Sequence, residues 1–198
     1  MSRIMLFPLR SVVLPEGKMR LRIFEPRYKR MVTECLKNES GFGVCLISGE
    51  AGAVPNNVSS VGTFVSIVDF ETLEDGMLGI TVSGIRKFHI LHVDADTDGL
   101  RNAEVSWMES WPPSEFSDEE QFLGERLQDV YKKFPQIGDL YQHRFFDDAS
   151  WVAQRWLEVL PLDCNHFEHL ISQNDCSTTL AFLEEAFRAD DAARETRH

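Results

Sequence analysis

A strict alternation of apolar and polar residues over residues 18–23 is the clearest strand pattern in the chain. Met19, Leu21 and Ile23 fall on one face of this segment, and basic residues occupy the positions between them. A period of two residues is typical of a strand that buries one face against a core. By the same criterion we predict further strands over residues 42–47, 61–70, 77–83, 85–93 and 100–107. Residues that favour turns separate these strands over residues 49–57, 74–76 and 94–99.

One helix interrupts the series of strands. It is predicted to begin near Pro26, because proline is favourable in the first turn of a helix, and to end between residues 38 and 41. Its apolar stripe has helical spacing and contains Tyr28, Met31, Val32, Cys35 and Leu36. Short strands with a single crossing helix favour a closed or nearly closed barrel over a doubly wound sheet, in which strands and helices alternate.

After Glu109 the hydrophobic period changes to that of helices. Residues 111–114, Trp-Pro-Pro-Ser, are predicted to form a stiff linker. Ser117 and Glu120 have the spacing of a capping box, which predicts a helix that begins there and is ended by Pro135. Three more helices are predicted over residues 149–160, 166–171 and 178–189, with fraying of the last eight or so residues.

The second half of the chain carries most of its acidity. The formal net charge is -12, and residues 1–110 hold 12 basic and 14 acidic side chains, whereas residues 111–198 hold 8 and 18. This balance disfavours nucleic acid as a partner, because a phosphate backbone is repelled unless a local basic surface dominates. We predict an α+β fold with a β-barrel subdomain over residues 1–110 and a small helical bundle over residues 111–198.

The four cysteines indicate a reducing compartment. Cys35, Cys45, Cys164 and Cys176 form no C-x-x-C pair and are too sparse for a disulfide scaffold, so we expect reduced thiols and a cytoplasmic location. Cys35 and Cys45 are expected in the core. The start of the chain lacks the continuous apolar segment of a signal peptide, and no run of 18 apolar residues predicts a membrane span.

Common catalytic motifs are missing from the sequence. There is no glycine-rich phosphate loop that ends in lysine, and no serine in a G-x-S-x-G context. Residues 41–43 begin like a dinucleotide fingerprint, but the third glycine is replaced by Leu46. We therefore expect no nucleotide hydrolysis and no cofactor.

Cys164, His166, His169 and Cys176 offer the ligand types that tetrahedral zinc prefers. Their order along the chain matches no standard structural site, so histidines on a helix surface are the favoured interpretation.

A second candidate metal site is acidic. Asp94, Asp96, Asp98 and Gly99 match positions 1, 3, 5 and 6 of a calcium-binding loop, but the closing position holds Val105 in place of glutamate. An acidic hairpin loop is the favoured interpretation, and binding of a cation stays open.

The only basic patch lies in residues 18–30, which contain Glu25 as the single acidic residue. Its six basic residues are Lys18, Arg20, Arg22, Arg27, Lys29 and Arg30. A solvated face that balances the acidic helices explains the patch, and a docking surface for acidic or phosphate-bearing partners is the alternative.

Several short motifs resemble the amino-terminal, substrate-binding domain family of Lon proteases. They are F-P-L-R at residues 7–10, F-E-P-R-Y at 24–28, F-G-V at 42–44, V-G-T at 61–63, F-H-I at 88–90 and L-P-L at 160–162. The resemblance implies a PUA-like pseudo-barrel followed by a helical subdomain. It also implies that Pro26, Tyr28, Gly62 and Gly84 serve the fold.

The resemblance further implies a non-catalytic protein that binds unfolded or tagged polypeptides in protein quality control, with other proteolysis components as further partners. The ATPase module and the Ser-Lys protease module of full-length Lon have no counterpart in the sequence. The expected peptide-binding residues are Arg10, Arg20, Arg22, Phe24 and Arg27. An RNA-binding PUA-like module and an uncharted enzyme or small-ligand binder remain alternatives, because fold alone does not fix function.

Overall fold

The computed structural model describes residues 2–47 and 58–195. Within these ranges six strands and six helices form a mixed α+β fold, so the predicted class is confirmed. The elements are β1 Ser2–Leu9, β2 Lys18–Ile23, α1 Pro26–Lys37, β3 Phe42–Ile47, β4 Val58–Thr72, β5 Leu78–Ala95, β6 Arg101–Trp107, α2 Gln121–Lys133, α3 Pro135–Gly138, α4 Ala149–Val159, α5 Cys164–Ile171 and α6 Ser177–Glu195. The turn predicted over residues 49–57 and the last three residues lie outside the described part.

The six strands form one sheet that closes into a ring. Its order is β2-β5-β4-β3-β1-β6, and β6 also pairs with β5. The ring therefore contains β5, β4, β3, β1 and β6, and β2 is added to it through the first half of β5. The β1–β3 pairing is parallel, and the other pairings are antiparallel.

The chain divides into two compact units. The first contains Met1–Ser110 and Asp163–Glu168, and the second contains Trp111–Leu162 and His169–His198. Glu168 of α5 anchors the segment Asp163–Glu168 to the first unit. The backbone N–H and the hydroxyl of Ser60 both donate hydrogen bonds of 2.7 Å to the carboxylate of Glu168.

Helix α1 covers the core of the barrel with the predicted stripe. Tyr28, Met31, Val32 and Cys35 are buried, and the ring of Tyr28 packs against that of Phe7 at 4.1 Å between centroids. Pro26 occupies the first turn as predicted.

Leu36, assigned to this stripe from the sequence, is instead exposed. It follows Tyr28 by eight residues, which turns it about 80° away around the helix axis and places it at the margin of the stripe.

Strand β5 is one continuous element where the sequence predicted two. Gly84, which falls between the two predicted strands, lies within β5, and its N–H donates to Gly17 O at 2.9 Å. A Cβ atom at Gly84 would lie 2.0 Å from the carbonyl oxygen of Leu14. Close backbone approach, and not a turn, requires glycine here. At Gly62 a Cβ atom would lie 2.5 Å from the ring of Phe88, so both glycines serve the fold, as the resemblance implies.

The first helix of the helical unit begins later than predicted. α2 starts at Gln121, and only half of the capping box forms: the Ser117 N–H donates to the carboxylate of Glu120 at 3.0 Å. The Ser117 hydroxyl also donates to this carboxylate, at 2.7 Å. The N-cap residue of α2 is Glu120, and its side chain makes no capping hydrogen bond. Pro135 follows the end of α2 as predicted and also begins α3.

Residues 111–114 are packed into the helical unit, contrary to the predicted linker. Trp111 is buried, and its indole N–H donates to Gln173 O at 2.7 Å. Ser150 Oγ donates to Pro112 O at 2.6 Å, and Ser114 O accepts from Ala149 N at 2.7 Å. The two prolines restrict the segment, but these hydrogen bonds hold it in place.

Candidate functional site

A groove of about 720 Å³ lies on the first unit between β2 and the β4–β5 hairpin. Arg20, Leu21 and Arg22 of β2 line one side of it, residues 71–75 line the other, and Gly79 and Ile80 of β5 form its floor. The groove exists because β4 and β5 continue beyond the part of β4 that pairs with β3.

The register of three strands explains why this groove is open. Arg22 of β2 pairs with Gly79 of β5, which pairs in turn with Glu71 of β4. Side chains at paired positions share one face of a sheet, so the missing side chain at Gly79 leaves a gap between Arg22 and Glu71 that the side chains of Glu71 and Leu73 border. A Cβ atom at Gly79 would lie 3.0 Å from Glu71 Cγ and from Leu73 Cδ2.

The groove carries charges of both signs. Arg22 forms an ion pair with Asp75, whose other oxygen accepts from Met77 N at 3.0 Å. Arg20 is exposed and has no ion-pair partner in the described part of the chain. Glu71 and Glu74 line the opposite side. The arginines thus lie among carboxylates, which is unfavourable for a polyanion.

Two exposed aromatic side chains belong to the same part of the sheet. Phe24 directly follows β2 and is 63% exposed, and Phe70 of β4 is 64% exposed. Phe70 pairs with Ile80 of the groove floor, and Ile80 pairs with Leu21 on its other side. Exposed aromatic surface beside polar groups is typical of protein-binding sites.

The other predicted binding residues lie elsewhere. Arg27 contacts the β5–β6 loop by donating to Gly99 O at 3.0 Å, and it also pairs with Glu25 at 2.7 Å and lies over the Tyr28 ring. Arg10 is exposed in the bend after β1 and does not line the groove. The basic patch of residues 18–30 is therefore divided between the groove and an internal contact.

The acidic loop is neutralised by arginine. Arg30 pairs with Asp96 at 2.6 Å and with Asp98 at 2.8 Å, and Arg3 pairs with Asp94 at 2.7 Å. The hydrogen bond from Arg30 is the main reason that the pKa of Asp98 is lowered. Guanidinium groups thus contact the carboxylates that a calcium ion would need.

The two cysteines among the candidate zinc ligands have other surroundings. Cys164 Sγ donates to Glu168 Oε1 at 3.5 Å, and Cys176 is buried. Burial acts to raise the pKa of Glu168, but hydrogen bonds from Ser60 and its neighbours outweigh it, and the pKa is lowered. In residues 2–47 and 58–195 no cluster of three or more His, Cys, Asp or Glu side chains could hold a metal ion.

The two barrel cysteines are buried, as predicted. Burial raises the pKa of the Cys35 thiol, and it raises that of Cys45 to about 12. Such thiols are poor nucleophiles, because the thiolate is the reactive form.

Sequence reasoning missed the acidic side of the groove. Glu71, Glu74 and Asp75 belong to a hairpin that the sequence did indicate by its Glu-Asp-Gly turn, but their position opposite Arg22 depends on strand register. It also missed Lys87 of β5, whose burial lowers the pKa of its ammonium group to about 8.

Comparison with known proteins identifies the family. A family model of the ATP-dependent protease La (LON) substrate-binding domain matches residues 3–164. The chain belongs to this family. The resemblance noted in its motifs is thereby confirmed, and family membership supports a substrate-binding role.

Solved structures agree with this assignment. The Lon N-terminal domain protein from Xanthomonas campestris is 32% identical, with a TM-score of 0.71 over 92% of this chain and 97% of that chain. The N-terminal domain of the Mycobacterium avium complex Lon protease shares the fold at 15% identity and a TM-score of 0.59, over 93% and 97% of the two chains. No helix in the described ranges is long and apolar enough to cross a membrane.

Proposed function

We propose that this chain is a non-catalytic protein that binds unfolded polypeptide segments at the groove and presents them to other components of protein quality control in the cytoplasm. The observation that carries the proposal is the position of Arg20, Arg22 and Phe24, which place two guanidinium groups on β2 and an exposed aromatic ring directly after it. Membership of a substrate-binding family supports it.

The chemistry of the groove suits polypeptide. Apolar segments that are exposed by unfolding can cover Phe24, and arginine donates hydrogen bonds to backbone carbonyl and carboxylate oxygens without demanding a particular sequence. Binding of RNA would use the same arginines, but Glu71, Glu74 and Asp75 would repel its phosphates.

Fluorescence anisotropy tests the proposal with two labelled probes, a reduced and carboxymethylated α-lactalbumin and a single-stranded oligonucleotide. We expect the unfolded protein to bind with little dependence on salt between about 50 and about 300 mM, because apolar contacts are not screened. Tight oligonucleotide binding that weakens steeply with salt, without binding of the unfolded protein, would contradict the proposal.

Variants locate the binding surface. Phe24→Ser should weaken binding of the unfolded protein about tenfold, since covering an exposed phenylalanine contributes roughly 1.5 kcal/mol or more. Leu91→Ser is the matched control, because Leu91 is 50% exposed but lies in the half of β5 that pairs with β6 and not with β2. Equal effects of the two substitutions would place the binding surface elsewhere.

A further inference from the structure

Strand β2 has one side without a neighbouring strand. Each of the other five strands pairs on two sides within the ring, whereas β2 pairs only with β5 across the described residues. An edge strand presents a row of backbone N–H and C=O groups that another chain can pair with.

The phase of the β2–β5 ladder shows which groups lie at this edge. The N–H of Gly84 in β5 donates to the carbonyl oxygen of Gly17, just before β2. In an antiparallel pair, every second residue turns its N–H and C=O toward the partner strand, so Met19, Leu21 and Ile23 are the residues of β2 that bond to β5. The N–H and C=O groups of Arg20 and Arg22 therefore point away from β5. The side chains of these two arginines stand on the exposed face of the sheet.

The β2 edge is regular, which distinguishes it from the other open edge of the sheet. All six residues of β2 pair with β5 in unbroken register. The second half of β4 also extends beyond β3, but its register shifts between Ile67 and Asp69. Bulges twist an edge and hinder the addition of a strand, so β2 offers the better template.

The charge of the edge selects its partner. Lys18, Arg20 and Arg22 occupy alternate positions on one face, and a second copy of this strand would bring like charges into opposition. Acidic side chains on an added strand would lie about 4.8 Å from β2. Glu71 of β4 would be three strand spacings away, roughly 14 Å, which exceeds the Debye length of about 8 Å. Asp75 already pairs with Arg22, so Arg20 is the main cation that would attract an acidic strand.

We propose that an extended polypeptide segment with acidic residues at alternate positions adds to the outer edge of β2 as a seventh strand. This inference rests on the proposed function and specifies that the segment runs along the outer edge of β2, beside the groove that the side chains of Arg20 and Arg22 line. Main-chain hydrogen bonds to Arg20 and Arg22 supply binding that tolerates many sequences, and the basic face favours aspartate or glutamate. Apolar residues at the intervening positions would continue the face of Met19 and Leu21.

A labelled heptapeptide of alternating valine and glutamate tests this mode of binding with the full chain. Two derivatives carry backbone N-methyl groups, one on its glutamates and the other on its valines. Both derivatives keep every side chain and carry the same kind of modification, so they control for each other. Only one of the two sets of N–H groups faces β2: the glutamate set if the strands are antiparallel, and the valine set if they are parallel.

We expect one derivative to lose at least about tenfold in affinity while the other binds like the parent peptide. Arg20→Glu should weaken the parent peptide by a similar factor, and Lys37→Glu, the same charge change at an exposed position of α1, should leave it unchanged. Equal affinities of the two derivatives would overturn the inference, whether both bind or neither binds. Self-association of the chain in sedimentation at the same concentrations would also overturn it, because a second copy would then compete for the edge.

The assay with unfolded α-lactalbumin distinguishes failure of strand addition from failure of polypeptide binding in general. If the unfolded protein binds but the two derivatives behave alike, strand addition is wrong and polypeptide binding stands. If the unfolded protein does not bind either, the proposed function fails as well.

Discussion

Replacement of Lys87 by methionine should remove a contribution that raises the free energy of unfolding as the pH increases from about 8 to about 10.5. Lys87 lies in β5 opposite Thr63 of β4, and it is only 2% exposed. Burial lowers the pKa of its ammonium group from 10.5 to about 8, because a charged group loses hydration in the interior. Protonated Lys87 therefore opposes folding at neutral pH.

The direction of the effect follows from proton binding. Between about pH 8 and pH 10.5 the unfolded chain holds this proton while the folded chain has released it. The free energy of unfolding therefore rises with pH across this window, by up to about 1.4 kcal/mol per unit and about 3 kcal/mol in total. Below pH 8 both states are protonated, and the unfavourable contribution is constant.

Urea unfolding at about pH 7 and about pH 10 measures this contribution. The raised pKa values of Cys35 and Cys45 act in the opposite direction, because the unfolded thiols lose protons first and stability falls as pH rises above 9. The informative quantity is thus the difference between the wild type and Lys87→Met, in which the thiol contributions cancel. Between about pH 7 and about pH 10, we expect the free energy of unfolding of the wild type to increase by about 2 to 3 kcal/mol more than that of Lys87→Met.

Lys29→Met removes an exposed ammonium group from α1 and serves as the control. Parallel pH profiles of the wild type and Lys87→Met would refute the reasoning, because they would show that the buried lysine keeps its ordinary pKa in the folded protein.

Two further predictions concern packing. Gly84→Ala should lower the free energy of unfolding by about 3 kcal/mol or more, since its Cβ atom would meet the Leu14 carbonyl at 2.0 Å. Gly76→Ala, where only a positive φ is strained, should lower it by about 1 kcal/mol, and equal losses in urea unfolding would contradict the assignment. Trp111→Ala should cost about 3 kcal/mol because a buried, hydrogen-bonded indole is lost, whereas Phe134→Ala at an exposed position should cost far less. A small effect at Trp111 would restore the linker interpretation.

Local patterns predicted the elements that local interactions determine. The alternation over residues 18–23 gave the exact bounds of β2, and Pro26 with the apolar stripe gave α1. The division of β5 at Gly84 was wrong because a glycine required by contact with Leu14 looks, in sequence, like a glycine required by a turn. The register shift near Ile85 also disturbs alternation there, which concealed the burial of Lys87.

The candidate site was predictable only in part. The basic spacing pointed to Arg20 and Arg22, and both line the groove. The same pattern included Arg27, whose contact with Gly99 joins residues 72 positions apart and depends on the folded barrel. Register between strands has no local pattern in sequence, so the opening above Gly79 could not be predicted.

The closure of the ring and the open edge of β2 depend on a single strand. Strand β5 carries β2 on its first half and closes the ring against β6 with its second half, and Gly84 lies between the two halves. A closed ring has no edge to offer, so five strands alone would fold without a template for an added chain. The backbone contacts of Gly84 with Gly17 and Glu16 hold β2 at the branch point. The glycine that lets β5 pass close to Leu14 therefore lies where the pairing of β5 changes from β2 to β6, and the strand left outside the ring is the one to which we propose that a polypeptide adds.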